Sequence, residues 1–343
     1  MPFLRDYIII VTKENIMRVV TFGEIMLRLQ PFGYKRLSQA DSYEATYGGA
    51  EANVAAALSC MGVGAAFVTK LPKNEIGQNA IDSLRKVGVD TSHVVRGGDR
   101  TGLYYCEKGA SQRPSKVVYD RAGSAISLAR RNEFDWKKIF DGADWFHFTG
   151  ITPALSDELA EICLDAAKNA KKLGLTVSCD PNYRAKLWSK EKASKVLMNL
   201  MPFVDVCITN VPQVLDVFGA TADSERELAD KLIEKFGFKT VAFTRRESIS
   251  ASDNVYSGAL YTADNFAESR AYTMHIVDRV GGGDAFAAGL IYATEHGFDL
   301  QKSVDFAVAA AVLKHSIEGD VAYLSVGEIE QLAGGDGTGR VQR

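Results

Sequence analysis

"HIVDRVGGGDAFAAGL", His275 to Leu290, sets three consecutive glycines, Gly281, Gly282 and Gly283, directly before an aspartate and an alanine-rich run. Glycine loses more backbone entropy on folding than any other residue, so three in a row mark a need for bare amides or unusual dihedrals. A glycine-rich turn entering a helix leaves unpaired amides converging where the helix dipole is positive, which makes an anion site. Two readings fit the stretch taken alone. Asp284 is either an N-cap behind a flexible turn, or a carboxylate that takes a proton from an attacking hydroxyl while the amides neutralise a transferring phosphoryl group. Neither G-x-x-x-x-G-K-[ST] nor a strict G-x-G-x-x-G occurs, so the two commonest phosphate signatures are absent.

Outward from this stretch, apolar β-rich runs alternate with helix-period segments. "RVVTFGEIML" reads as a strand, "EANVAAALSCMG" as a helix with Val54, Leu58 and Met61 on one stripe and Gly62 as its terminator, and "AAFVTKL" as the next strand. "EIGQNAIDSLRKVG" is a helix ending at Gly88, and "SDELAEICLDAAKNAKKLG" is one with Ser156 as N-cap. "ADWFHFTG", "LTVSCD", "VDVCITN" and "KTVAFTR" are strands, and "PQVLDVFG" is a helix. Strands apolar on both faces and separated by helices imply an α/β, doubly wound, mostly parallel sheet flanked by helices, with ligands at the carboxyl ends of its strands. Segments 30–47 and 95–122 do not alternate this way. They read as a small antiparallel sheet projecting from the main layer, and "SISASDNVYSGALYTADN" is also strand-like.

The 343 residues, 46% of them hydrophobic, suffice for a large core. A formal charge of −3 gives no overall attraction to nucleic acid or to an acidic membrane, so any bound anion is held locally. Five cysteines, without a CxxC pair, read as free thiols of a reducing, cytoplasmic compartment rather than zinc ligands. "YIIIV" (Tyr7 to Val11) is too short for a span and lacks a cleavage site; residues 1–16 read as an extension ahead of a main body at 17–332, and the glycine-rich 333–343 as a flexible tail. The five histidines, His93, His147, His275, His296 and His315, lack metal spacing and read as structural or exposed.

"YGGAEANVAAAL", Tyr47 to Leu58, again sets Gly-Gly before a helix, with Asn53 in its first turns. Together, "YGGAEANVAAALSCMG" and "DRVGGGDAFAAGL" resemble the two signatures of the ribokinase-like (PfkB) carbohydrate kinase family, over Met17 to about Leu332. Within it, "TGLYYCEKG", "VVYDRAGSA" and "SCDPNYRAKLW" are most similar to kinases of 2-keto-3-deoxygluconate, a sugar acid phosphorylated at its terminal hydroxyl. The alternatives are another sugar kinase of the same fold, such as a fructokinase or ribokinase, and a non-catalytic sugar-binding or regulatory protein.

The resemblance implies roles by position. Asp284 would be the catalytic base, and Gly281, Gly282 and Gly283 the anion hole. Gly49 and Asn53 would bond the sugar, and Tyr104, Tyr119 and Arg121 would cover it from the lid. Arg184 would bridge sugar and phosphate, and Asn210, Thr244 and Arg246 would attend the nucleotide. It implies ATP, Mg2+ and a monovalent cation as cofactors, with Asp180 as a metal ligand, and edges of the lid sheet invite pairing of two copies. A keto-deoxy acid calls for arginine, supplied by Arg121 and Arg184. Arg28 stands where many neutral-sugar members carry Asp, which disfavours neutral sugars.

Four departures accompany the likeness. Arg279 replaces the family's usual Thr or Pro, which bears on nucleotide and monovalent-cation contacts. Gly282 replaces an Ala, a mild change. "NVPQ" has Gln213 for the Glu associated with magnesium. The expected nucleotide loop "TRRESISASDN" has no glycine, so either Arg245 or Arg246 replaces backbone contacts by charge or the nucleotide is held weakly.

Overall fold

The computed structural model describes residues 18–339. The extension at 1–16, "YIIIV" within it, and 340–343 of the tail lie outside the described residues. The doubly buried strands form a nine-stranded sheet with an apolar cluster on each face. Across the sheet the order is Phe266–Glu268, Asp253–Tyr261, Thr240–Ser248, Val206–Thr209, Thr176–Asp180, Trp145–Thr149, Arg18–Phe22 and Gly64–Val68; Tyr272–His275 also pairs with Asp253–Tyr261. Every pairing from Gly64–Val68 to Thr240–Ser248 is parallel, and the pairings beyond it are antiparallel. Trp145–Thr149 is buried at all five positions, as expected of a central strand covered on both faces.

Helices Ala50–Cys60, Gly282–Glu295 and Leu300–Lys314 cover one face, and Asp157–Lys172 and Lys190–Leu200 the other. Their boundaries follow from capping chemistry. Ser156 Oγ accepts from Leu159 N at 3.2 Å at one helix start, and Gly62, with φ of +84°, follows the end of Ala50–Cys60.

The lid is a four-stranded sheet ordered Tyr43–Gly48, Met26–Pro31, Gly102–Glu107 and Lys116–Asp120. It is mixed rather than wholly antiparallel, because Met26–Pro31 runs parallel to Gly102–Glu107. It also begins earlier than the composition suggests. "RVVTFGEIML" is not one strand: Arg18–Phe22 belongs to the main sheet and Met26–Pro31 to the lid, with Gly23, Glu24 and Ile25 turning between them. Gly23 and Glu24 interrupt the apolar run at that break. Val95–Arg96 pairs with Lys70–Leu71 outside the lid. "TRRESISASDN" is not mainly a loop either; the strand continues to Ser248 and pairs as a hairpin with Asp253–Tyr261. No helix among the described residues is long and apolar enough to cross a membrane.

Candidate functional site

A cavity of about 680 Å³ opens at the carboxyl ends of the parallel strands, between the lid and the two glycine-rich helix entries. Gly281 starts the helix Gly282–Glu295 with φ of +86°, a left-handed value that side chains resist. The first intrahelical bond runs from Ala285 N to Gly281 O at 2.8 Å, so the amides of Gly282, Gly283 and Asp284 precede the helical ladder and carry its positive end. Gly283 is exposed, and a Cβ on it would meet nothing within 4 Å, so this amide borders open space in the cavity wall.

Asp284 lines the same cavity. Burial pushes its carboxyl up to about 7, the nearby carboxylates of Asp180, Asp320 and Glu51 add to the rise, and a hydrogen bond from Asn53 opposes it. Asn53 Nδ2 donates to Asp284 Oδ2 at 2.7 Å, while Asn53 Oδ1 accepts from Gly49 N at 3.2 Å. The structure therefore gives Asn53 a contact that the sequence reading did not assign: its amide orients the carboxylate. Gly49 has extended backbone, and its need for glycine is spatial, since a Cβ there would lie 1.9 Å from Glu24 O.

Glu51, unassigned from sequence, anchors this helix entry. Its Oε1 accepts from Thr149 N at 2.9 Å, Thr149 Oγ1 at 2.7 Å and Thr152 Oγ1 at 2.8 Å. Three donors on one buried carboxylate oxygen fix the helix start against the end of the central strand.

The lid contributes Tyr104, Tyr119 and Arg121, all of which line the cavity. Tyr104 and Tyr119 are cross-strand partners with ring centroids 5.9 Å apart. Tyr104 is buried, and its hydroxyl donates to Asp320 Oδ2 at 2.5 Å, so its oxygen is engaged within the protein. Arg121 Nε donates to Glu24 Oε2 at 2.7 Å, so it enters the cavity as half of an ion pair rather than as a lone cation. The second oxygen of Glu24, Oε1, is buried with no hydrogen-bond partner. Arg28 does not line the cavity. It is buried between Asp278 and Asp320, 2.5 Å from each, so the argument against neutral sugars does not rest on a ligand contact there.

Three other guanidiniums, Arg184, Arg246 and Arg279, line the cavity with no carboxylate within ion-pair distance among the described residues. Arg245 is different: it is held by Glu225 at 2.5 Å and Glu268 at 2.8 Å, so of the adjacent pair only Arg246 brings unmatched charge. Arg279, whose place was unexplained by sequence, has its pKa lowered chiefly by burial, and repulsion from the nearby Arg246 adds to the lowering. Thr244 and Asn210 also line the cavity; Asn210 caps the helix Val211–Phe218, its Oδ1 accepting from Gln213 N at 3.0 Å.

Gly282 is less tolerant than its near-isosteric replacement suggests. A Cβ there would fall 2.3 Å from His315 Cε1, so the imidazole fills the space an alanine methyl would take. His315 is buried, held neutral with its pKa lowered to about 4, and its Nδ1 lies 2.6 Å from Ala311 O.

Asp180 lines the cavity at the end of Thr176–Asp180, with its carboxyl pushed up to about 6, chiefly by burial. No group of three or more His, Cys, Asp or Glu among the described residues could hold a metal on its own. Asp180 and the buried, unpartnered Gln213 Oε1 are oxygen donors of the kind Mg2+ accepts when it takes its other ligands from phosphate and water.

Residues 17–322 match the family model described as pfkB family carbohydrate kinase. A crystal structure described as 2-dehydro-3-deoxygluconokinase from Thermotoga maritima is 55% identical, covers 93% of this chain and 98% of its own, and superposes with a TM-score of 0.92. The 2-dehydro-3-deoxygalactonokinase of Haloferax volcanii is 36% identical over 93% of this chain and 97% of that protein. The 2-dehydro-3-deoxygluconokinase of Bacillus subtilis is 29% identical over 88% of this chain and 90% of that protein.

Proposed function

Since the chain belongs to the pfkB family of carbohydrate kinases and is a sugar kinase, we propose that it transfers the γ-phosphoryl group of ATP to the terminal hydroxyl of 2-keto-3-deoxygluconate. One observation carries this reading: a carboxyl bonded by Asn53 beside free helix-entry amides, in a cavity with three guanidiniums lacking carboxylate partners. Asp284 accepts the hydroxyl proton as the oxygen attacks phosphorus; the new O–P bond forms, the bond to the β-phosphate oxygen breaks, and ADP departs. The amides of Gly282, Gly283 and Asp284 face charge on the transferring group. Arg246 and Arg279 attend the nucleotide phosphates, and Arg184 reaches between phosphate and the sugar carboxylate.

Asp180 and Gln213 Oε1 would hold Mg2+, which neutralises phosphate charge when bound. Glu24 Oε1 accepts a sugar hydroxyl, and the Tyr104 and Tyr119 rings exclude water over it. The exposed Val118 and Tyr119 on the lid edge strand support pairing with a second copy, which the mass in solution would test.

The test is ADP release across a set of acceptors: 2-keto-3-deoxygluconate, its galactonate epimer, fructose and ribose. The reading requires the keto-deoxy acid to give the highest kcat/KM, by at least about tenfold over the neutral sugars, the scale of one lost charged contact. Preference for fructose or ribose would overturn it. The likeness to the Haloferax protein supports a second reading, in which the galactonate epimer is the better acceptor, and the same screen decides between the two.

A further inference from the structure

Beneath the glycine turn lies a cluster of buried charge that the reaction above leaves without a role. Asp278, the acidic residue that opens the motif, accepts from Arg28 Nη2 at 2.5 Å, Val280 N at 3.1 Å and Gly319 N at 3.1 Å. Asp320 accepts from Arg28 Nη1 and Tyr104, each at 2.5 Å. Its carboxylate also lies where a Cβ on Gly48 would stand, 1.9 Å away, and its carbonyl stands 2.1 Å from where a Cβ on Gly281 would be. Asp320 is thus wedged between the two glycine-rich entries.

Lys314 completes the cluster. It is the last residue of Leu300–Lys314 and is fully buried, with 0% exposure, where the carbonyl end of a helix favours a cation. Its Nζ donates to Ile317 O at 3.1 Å, and its Cε lies 3.2 Å from where a Cβ on Gly281 would stand. Burial lowers the pKa of its ammonium and Arg28 adds to the lowering, while the carboxylates of Asp278, Asp320 and Asp284 oppose it and hold the charge.

These residues do not fit the monovalent cation that the family likeness implies. Two buried carboxylates face two fixed cations, so the cluster is neutral as built. A third cation would add one unmatched charge in a region of low dielectric, at a cost that the filled hydrogen bonds of Asp278 and Asp320 cannot offset.

We propose that the Lys314 ammonium is the resident cation of the glycine turn, holding it in register behind the anion hole, so that the protein works without a bound monovalent cation. Lys314 touches no substrate; it is a positioning residue that acts through Gly281. The proposal rests on the kinase reading for its kinetic arm and is independent of it for its binding arm.

The experiment compares the full-length protein and Lys314→Ala in K+, NH4+ and Na+ against tetramethylammonium, which is too large for the site. Melting temperature is read without substrate, and kcat and KM with 2-keto-3-deoxygluconate and ATP. For the unsubstituted protein, melting temperature and kcat are expected to be the same in all four salts, within twofold for kcat. Lys314→Ala is expected to lose about 100-fold in kcat, the scale of one lost anion-hole group, with KM for the sugar acid changed less than threefold. It is also expected to regain about tenfold, and to melt higher, in K+ or NH4+. Lys314→Met, which keeps the volume without the charge, serves if the alanine variant does not fold. A rise in melting temperature or kcat of the unsubstituted protein specific to K+ would overturn the proposal, as would a neutral variant with unchanged kcat. Absence of turnover on every acceptor would instead count against the kinase reading, and the salt dependence of melting would still decide the cation question.

Discussion

Asn53 Nδ2 donates to Asp284 Oδ2 at 2.7 Å, joining two glycine-led helices whose bonded residues are 231 positions apart. The bond fixes one carboxylate oxygen and leaves the other for a proton. Asp284→Asn keeps the shape and removes the basicity; kcat is expected to fall about 10,000-fold, with cooperative melting retained. Asn53→Ala is expected to cost about ten- to a hundredfold in kcat, because the base survives but its orientation does not. Steady-state kinetics and thermal melts on both variants check this; near-normal turnover by Asp284→Asn would remove it as the base.

The raised carboxyl of Asp284 predicts a pH profile. As a base it works deprotonated, so kcat/KM in the absence of other limiting ionisations should rise through about pH 7 and level above it. Asn53 donates to the ionised form and lowers the pKa, so Asn53→Ala should move this limb to higher pH. Stability has the opposite slope. The folded state holds the proton more tightly than the unfolded chain, whose carboxyl titrates near 3.8. The contribution is therefore full below about pH 4 and is lost as pH rises through about 7. Asp180, raised to about 6, contributes in the same sense. Asp284→Asn should flatten that part of the melting-temperature profile.

Gly282 and His315 are predicted to be coupled. A methyl on residue 282 would lie 2.3 Å from the imidazole, so Gly282→Ala should cost about 1 to 3 kcal/mol and depress kcat by shifting the anion-hole amides. His315→Ala in the same chain opens the space and should recover most of the loss. A double-mutant cycle on melting and kcat measures the coupling; additive effects would mean that the turn moves rather than the ring.

The two glycine entries were legible because a glycine pair or triplet before an apolar helix has few purposes, and the alternation of strand and helix carried the sheet. The charge network was not legible. Arg28 meets Asp320 across 292 positions, and Asn53 meets Asp284 across 231 on the same face of the sheet, through the fold's topology rather than through periodicity. Arg28 therefore read as a substrate selector when it is an interior counter-ion. Glu24 was hidden inside what seemed one strand, yet its turn is what brings its carboxylate to Arg121. Lys314 and His315 end an alanine-rich helix and carry no motif at all. The finding that could have flagged them is composition: a lysine and a histidine closing so apolar a helix need an interior partner.

The adjacent positions Arg245 and Arg246, with Arg279, separate structural charge from binding charge. Arg279 donates to Ala251 O at 3.1 Å, but its Nε is buried without a partner, and Arg246 repels it. The repulsion is a cost that the negative charge of a polyphosphate would relieve. Arg279→Met is therefore expected to raise the KM for ATP about tenfold or more, leave the KM for the sugar acid within twofold, and leave the melting temperature unchanged or higher. Arg245 faces the other way, bridging Glu225 and Glu268, so Arg245→Met should lower the melting temperature and barely move either KM. Initial-rate kinetics with each substrate varied, beside thermal melts, read all four quantities. A rise in the sugar KM alone on Arg279→Met would transfer Arg279 from the nucleotide to the acceptor half of the cavity.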